Sequence, residues 1–318
     1  MSEGSAASGA ETGSFVQTLE FRRFAEFCEA CCRHRYIGLC YGPPGVGKTL
    51  SARRYANWDK VSAISWLGKT PLADIVALGK PQTVLYTAPV VNTPNMVERD
   101  ISALRRSLHD LRLEPLRREE DVAFEQVRQQ EAAREKVRQE RLLLHDWLSG
   151  TPQEPPRTGP TFAHTAQEYE QKRRQIPDPT TLILVDEADR LKMASLEATR
   201  ALFDRGDIGL VLIGMPGMEK RLARYPQFYS RIGFVHEFRP LGVAEVRHLL
   251  KEGWLPPGVC LPPLDDEAIA AIIRITSGNF RLLDRLLSQT ERIVQINQLP
   301  GVTKKAVEAA RESLVIGQ

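Results

Sequence analysis

The run Gly42-Pro-Pro-Gly-Val-Gly-Lys-Thr49 constrains this chain more than any other stretch. It fits G-x-x-x-x-G-K-[ST], a loop between a strand and a helix that cradles the phosphates of a nucleoside triphosphate. Gly42, Gly45 and Gly47 let the backbone turn tightly, so that successive N–H groups face one concavity. Phosphate oxygens are favoured there and at the positive end of the following helix. Lys48 is placed to reach the β- and γ-phosphates, and the Thr49 hydroxyl to ligate Mg²⁺. The candidate nucleotide contacts are therefore Gly42, Pro43, Pro44, Gly45, Val46, Gly47, Lys48, Thr49 and Leu50. The flanks agree: Tyr36–Tyr41 reads as a short buried strand and Leu50–Ala56 as a helix.

A second motif reinforces the first. Thr181-Leu-Ile-Leu-Val-Asp-Glu187 is an apolar β-run ending in two carboxylates, the Walker B pattern. Asp186 at the strand end is expected to hold the Mg²⁺ shell. Glu187 beside it can orient and deprotonate an attacking water. Alone, such a run is weak evidence, because strands often end in solvated acids. After a P-loop in the same chain, it points to binding and hydrolysis of ATP.

With 318 residues the chain can bury a full core and a second, smaller one. No apolar run approaches the roughly 20 residues of a membrane span. Residues 1–14 are small and polar, with neither a basic start nor an apolar signal core, and read as a disordered tail. Net charge is only +3, so any nucleic-acid surface must be local. The odd count of five cysteines, without a signal peptide, fits a reducing cytoplasm. Cys28, Cys31 and Cys32 near His34 lack the distant second pair of a zinc site. Phe15, Leu19, Phe24, Phe27, Cys28 and Cys31 recur instead at helical spacing, as the buried stripe of an N-terminal helix over 15–35.

Strands are predicted at Thr83–Ala88, Ile208–Ile213 and Gly233–Phe238 besides the two above, with helices between them. Five strands alternating with helices predict an α/β domain over 36–239 with a parallel sheet. The stretch from Trp58 to Trp66 is less regular. Asn92-Thr-Pro-Asn95 opens a helix, with Pro94 suited to its first turn. Residues 113–179 read as an insertion. Leu113–Leu148 is a densely charged helix or helical hairpin, and Thr151–Pro179 a proline-rich linker. From Pro240 the pattern is all helical, giving a small lid domain over 240–318.

The order of P-loop, Walker B, fourth strand, arginine-bearing helix end, fifth strand and helical lid resembles the AAA+ ATPases. Within them the chain is most similar to the ATP-dependent transposition regulators of the TniB, TnsC and MuB group. The stretches that carry the likeness are Tyr36–Arg53, Val185-Asp-Glu-Ala-Asp-Arg-Leu191, Leu212-Ile-Gly-Met-Pro-Gly-Met-Glu-Lys-Arg-Leu222 and Tyr229–Leu241. The resemblance covers Phe15–Leu113 and Pro179–Leu314. It implies that Arg231, just before the fifth strand, is the arginine finger that reaches a neighbouring subunit's γ-phosphate. The bland alternative is a surface arginine in a salt bridge. Ser277-Gly-Asn-Phe-Arg281 resembles the lid signature in which Arg281 contacts phosphate in its own subunit. A finger donated in trans implies a homo-oligomer, a ring or a helical filament. One departure stands out: Ile213-Gly-Met-Pro216 offers no polar sensor-one side chain at the end of the fourth strand.

Two function classes follow. In the first, the ATPase assembles on duplex DNA without sequence preference and recruits a transposase, with a target-selection adaptor. The resemblance then implies that the helix after the second strand faces DNA, with Arg99, Arg105 and Arg106 as phosphate contacts. A solvated helix face is the alternative for these arginines. In the second, it is a helicase loader, remodelling or defence-system ATPase acting on a protein partner. The missing sensor-one residue alone favours a third, a sensor that binds ATP and seldom hydrolyses it.

Overall fold

The strands form because short apolar runs are buried on both faces. Leu182–Asp186 and Gly209–Gly214 are buried at every position, the pattern of central strands in a covered parallel sheet. In the computed structural model, which describes residues 15–66, 71–79, 81–148 and 159–314, five strands pair in one sheet. They are β1 Ile37–Tyr41, β2 Thr83–Thr87, β3 Leu182–Asp186, β4 Gly209–Gly214 and β5 Ile232–Glu237, in the order β2-β3-β4-β1-β5. The pairings of β1 with β4 and β5, and of β3 with β4, are parallel. Strand β5 lies at an edge, and its residues alternate between half-buried and exposed.

Residue contacts cluster into two units, one over 15–58, 85–100 and 181–314, the other over 59–84 and 101–180. In the first, helix α1 (Leu19–His34) packs on β1, β3, β4 and β5. Thr18 caps it by accepting from the Phe21 N–H. Phe24, Phe27, Cys28 and Cys31 form its buried stripe, but Leu19 is 49% exposed and Phe15 precedes the helix. Leu19 belongs to the first turn, where its N–H donates to Glu245 Oε1 at 2.8 Å rather than its side chain packing inward. Cys28, Cys31 and Cys40 are core residues, and burial pushes the Cys31 thiol up to about 12. Helix α2 (Lys48–Tyr55) follows the P-loop.

Helix α3 (Trp58–Trp66) occupies the stretch expected to be less regular, and α4 (Leu72–Ala77) follows in the second unit. Residue 113, where the insertion is expected to begin, is not a helix end: α5 runs from Pro94 to Leu148 through Pro115. Proline in a helix interior normally breaks it. Here Leu111, Leu113 and Leu116 are all buried around Pro115, so packing holds the turn. A further helix, α6 (Phe162–Arg174), stands in the proline-rich stretch, whose residues 151–158, like the tail 1–14, lie outside the described residues. Thr161 caps α6, Phe162 stacks on Phe124 at 5.8 Å, and the His109 ring meets the Ile176 carbonyl at 2.9 Å.

The first unit continues with α7 (Met193–Arg205), α8 (Met218–Leu222) and α9 (Pro226–Tyr229) between strands. After β5 come four helices: α10 (Val243–Lys251), α11 (Asp266–Thr276), α12 (Phe280–Ile296) and α13 (Lys304–Glu312). Asp265, Asn279 and Thr303 cap the last three. Val246, Ile272, Leu283, Leu286 and Val307 are among the residues of their shared core.

Candidate functional site

The P-loop is shaped by what it touches. Phe238 N–H donates to the Tyr41 carbonyl at 2.7 Å, and a Cβ on Gly42 would lie 2.2 Å from Phe238 O. Gly42 thus lets the chain after β5 approach. Gly45 and Gly47 have φ of 80° and 105°, the region that favours glycine. The Lys48 ammonium donates to the carbonyls of Gly42 and Pro43 at 2.7 and 2.8 Å. Burial lowers its pKa, while the carboxylates of Asp186, Glu187 and Asp189 act in the opposite sense.

Strand β3 delivers the carboxylates. Asp186 is 2% exposed. Its Oδ2 accepts from the Thr49 hydroxyl at 2.8 Å and its Oδ1 from the Glu187 N–H at 3.0 Å. The chain turns at Glu187 with φ of 53°, then forms a single 3-10 turn over Ala188–Arg190. Arg190 meets Glu187 Oε2 at 3.6 Å and donates to the Ala88 carbonyl at 3.2 Å.

A cavity of about 1040 Å³ opens over these groups, large enough for a nucleotide-sized ligand. Pro44 through Leu50, Asp186, Glu187 and Arg281 line it; Gly42 and Pro43 do not, serving instead as the carbonyl partners of Lys48. The donor set suits a triphosphate: an ammonium, a helix N-terminus and a loop with two glycines at positive φ. Thr49 and Asp186 could hold Mg²⁺ through hard oxygens. Mg²⁺ usually keeps several waters and shares phosphate oxygens, so one carboxylate and one hydroxyl suffice. Among the described residues no group of three or more His, Cys, Asp or Glu is placed to hold a metal, so a cage built by the protein alone is not what this site offers.

Several lining residues were given no role at the site from the sequence. Phe15 and Val16 come from the segment before α1, Trp254 and Pro256 from the loop after α10, and Phe280 from α12. Trp254 and Phe280 meet edge to face at 5.5 Å, and Arg54 lies over the Phe15 ring at 5.4 Å. The one sequence signal that could have marked them is an aromatic before a Pro-Pro pair, Trp254-Leu-Pro-Pro257. Asp189 was also missed. The end of β4 supplies no polar side chain, but the Met215 N–H there donates to Asp189 Oδ1 at 3.2 Å, and both residues line the cavity.

The remaining candidates fall elsewhere. The Arg231 carbonyl accepts from the Ile37 N–H at 3.1 Å, beside the start of β1, whereas the P-loop follows its end. Five strand residues put about 16 Å between those ends, more than an arginine side chain spans. Arg231 donates to Asp204 at 2.8 Å and to the Gln227 carbonyl at 2.7 Å. Of the α5 arginines, Arg105 is half-buried and held by Asp178 at 2.7 Å. Arg99 is bound to Asp100 but well exposed, and Arg106 is exposed.

Residues 32–222 match the AAA domain family. A curated relative, described as a potential ATP-binding protein of Staphylococcus aureus, is 38% identical over 314 residues, covering 96% of this chain and 97% of its own. Among solved structures, Cdc6p from Pyrobaculum aerophilum is similar in fold, with a TM-score of 0.53 and 15% identity, over 98% of this chain and 71% of that one. The ORC1 protein of Aeropyrum pernix, solved in complex with DNA, gives a TM-score of 0.49 and 19% identity, over 92% of this chain. The chain spans 64% of that ORC1 chain.

Proposed function

Because the chain belongs to the AAA domain family, we propose that its cavity takes ATP with Mg²⁺ and hydrolyses it in assemblies of several copies. The carrying observation is the Thr49–Asp186 contact at 2.8 Å, which joins the P-loop to the acidic end of β3 at the cavity floor. In this reading, Lys48 and the P-loop N–H groups hold the phosphates, and Thr49 and Asp186 hold Mg²⁺, which neutralises charge developing on them. Glu187 takes the proton of the attacking water. Asp189, fixed to the end of β4, supplies the polar group that β4 lacks there. Arg281 steadies phosphate from α12. Arg231, too far from its own cavity, serves that of the next copy.

The finer reading is a regulator of transposition that assembles on duplex DNA and recruits a transposase. It rests on resemblance to the TniB, TnsC and MuB group, and on the exposure of Arg99 and Arg106 along α5. Backbone contacts by arginine carry no sequence information, so binding should require ATP, ignore sequence and weaken steeply with salt. Fluorescence anisotropy with labelled duplexes of different sequence, with and without a non-hydrolysable ATP analogue, tests this. Salt-insensitive binding to one sequence, or none with the analogue, contradicts it. A second reading, a loader or remodelling ATPase that grips a protein, is favoured by Arg105, whose guanidinium is committed to Asp178 and withdrawn from phosphate. ATPase activity that responds to a protein partner and not to DNA would select that reading.

A further inference from the structure

Two P-loop carbonyls are held by a segment far away in sequence. The Asn279 carboxamide donates from Nδ2 to the Pro44 carbonyl at 2.8 Å. The Arg281 backbone N–H donates to the Gly45 carbonyl at 3.0 Å. The same Asn279 caps α12, its Oδ1 accepting from the N–H groups of Arg281 at 3.1 Å and Leu282 at 3.2 Å. One side chain thus ties the P-loop to the first turn of α12.

The fit leaves no slack. A Cβ on Gly45 would lie 2.6 Å from Asn279 Oδ1 and 2.8 Å from Arg281 Cβ. Gly45 is therefore required by the approach of α12 as well as by its φ of 80°. The turn ahead of Asn279 is pinned too. The Leu241 N–H donates to the Gly278 carbonyl at 3.0 Å, and a Cβ on Gly278 would sit 2.0 Å from Leu241 O.

Peptide geometry gives these contacts a consequence. In a trans peptide the C=O and the N–H point in opposite directions, and no described peptide is cis. Holding the Pro44 carbonyl against Asn279 turns the Gly45 N–H away from α12. Holding the Gly45 carbonyl against Arg281 does the same for the Val46 N–H. Gly45 and Val46 both line the cavity.

We propose that Asn279 is a positioning residue for the nucleotide, its carboxamide aiming the Gly45 N–H at the phosphates beside the Val46 N–H that the Arg281 backbone aims, and so making phosphate affinity depend on the seating of α12. This rests on the reading of the cavity as an ATP site. It assigns the lid a task separate from the Arg281 guanidinium, carried by a neutral side chain and a backbone N–H.

Two variants test it. Serine is as good a helix cap as asparagine, is uncharged and is too short to bridge to Pro44. Aspartate caps equally well but cannot donate. Asn279→Ser and Asn279→Asp should both melt close to the parent. Both should bind a non-hydrolysable ATP analogue about tenfold more weakly, and their P-loop amides should exchange hydrogen faster in the absence of nucleotide. Because two different caps are used, misfolding of one leaves the other to decide. Parental affinity and parental exchange in the folded variants would overturn the proposal. If the parent itself binds no ATP, the nucleotide reading fails, and the exchange rates still decide whether Asn279 orders the loop.

Discussion

Glu187→Gln is expected to bind ATP as the parent does and to turn it over at least 100-fold more slowly. Glu187 stands at the end of β3, its backbone fixed by the N–H bond to Asp186 and its side chain lining the cavity beside the P-loop. Gln keeps the volume of Glu and can still hold a water, but it cannot take the water's proton. A lost general base costs roughly 10²–10⁴ in rate. Binding is expected to persist, because the groups proposed to hold phosphate, Lys48 and the loop backbone, and those proposed to hold Mg²⁺, Thr49 and Asp186, are untouched. Assemblies that form with ATP should therefore outlast those of the parent. Steady-state ATPase rates and direct binding of ATP, measured on the same preparation, separate the two effects. Parental turnover by Glu187→Gln would remove Glu187 as the base.

Arg231→Ala is expected to leave nucleotide affinity in the single subunit nearly intact and to remove hydrolysis. Its backbone is bonded to Ile37 at the start of β1, one strand length from the P-loop, and its guanidinium rests on Asp204 and the Gln227 carbonyl. In that position it can act on a phosphate only in another copy. Finger arginines stabilise charge that develops in the transition state, so a loss of about 10³-fold is expected. Mixing distinguishes donation between copies from a structural role. Arg231→Ala subunits keep a sound Glu187 but donate no finger, and Glu187→Gln subunits donate a finger but cannot hydrolyse. On mixing, some interfaces pair a sound site with a sound finger, and part of the activity should return. No recovery, in assemblies shown by microscopy to contain both variants, would mean that Arg231 only holds α9 and β5 to Asp204.

What the sequence disclosed was what short-range chemistry dictates. Strands β1, β3 and β4 showed as apolar runs because both their faces are covered, and the P-loop showed because its glycine spacing answers to phosphate. The C-terminal helices showed as an all-helical pattern from Pro240, and the structure adds the caps that start three of them, Asp265, Asn279 and Thr303. What stayed hidden depends on partners distant in the chain. The course of α5 through Pro115 is decided by packing that overrides the local penalty of proline. The helix α6 forms in a proline-rich stretch because Thr161 caps it and Phe162 finds Phe124. The apolar wall of the cavity is gathered from Phe15, Trp254 and Phe280, three segments with no shared motif. Asp189 and Asn279 were each inside a quoted motif. Their tasks became visible only when the Met215 N–H and the Pro44 carbonyl were found against them.

The central claim, that this cavity is an ATP site built on Lys48, Thr49 and Asp186, is tested most directly by titrating ATP with Mg²⁺ into the parent and Lys48→Ala by calorimetry. Lys48 is the only ammonium lining the cavity among the described residues. Its removal should weaken binding at least tenfold, about 1.4 kcal/mol, while the fold, judged by melting, stays close to the parent. ATP binding by the parent that falls in Lys48→Ala is the predicted result; equal affinity in the two proteins would contradict it.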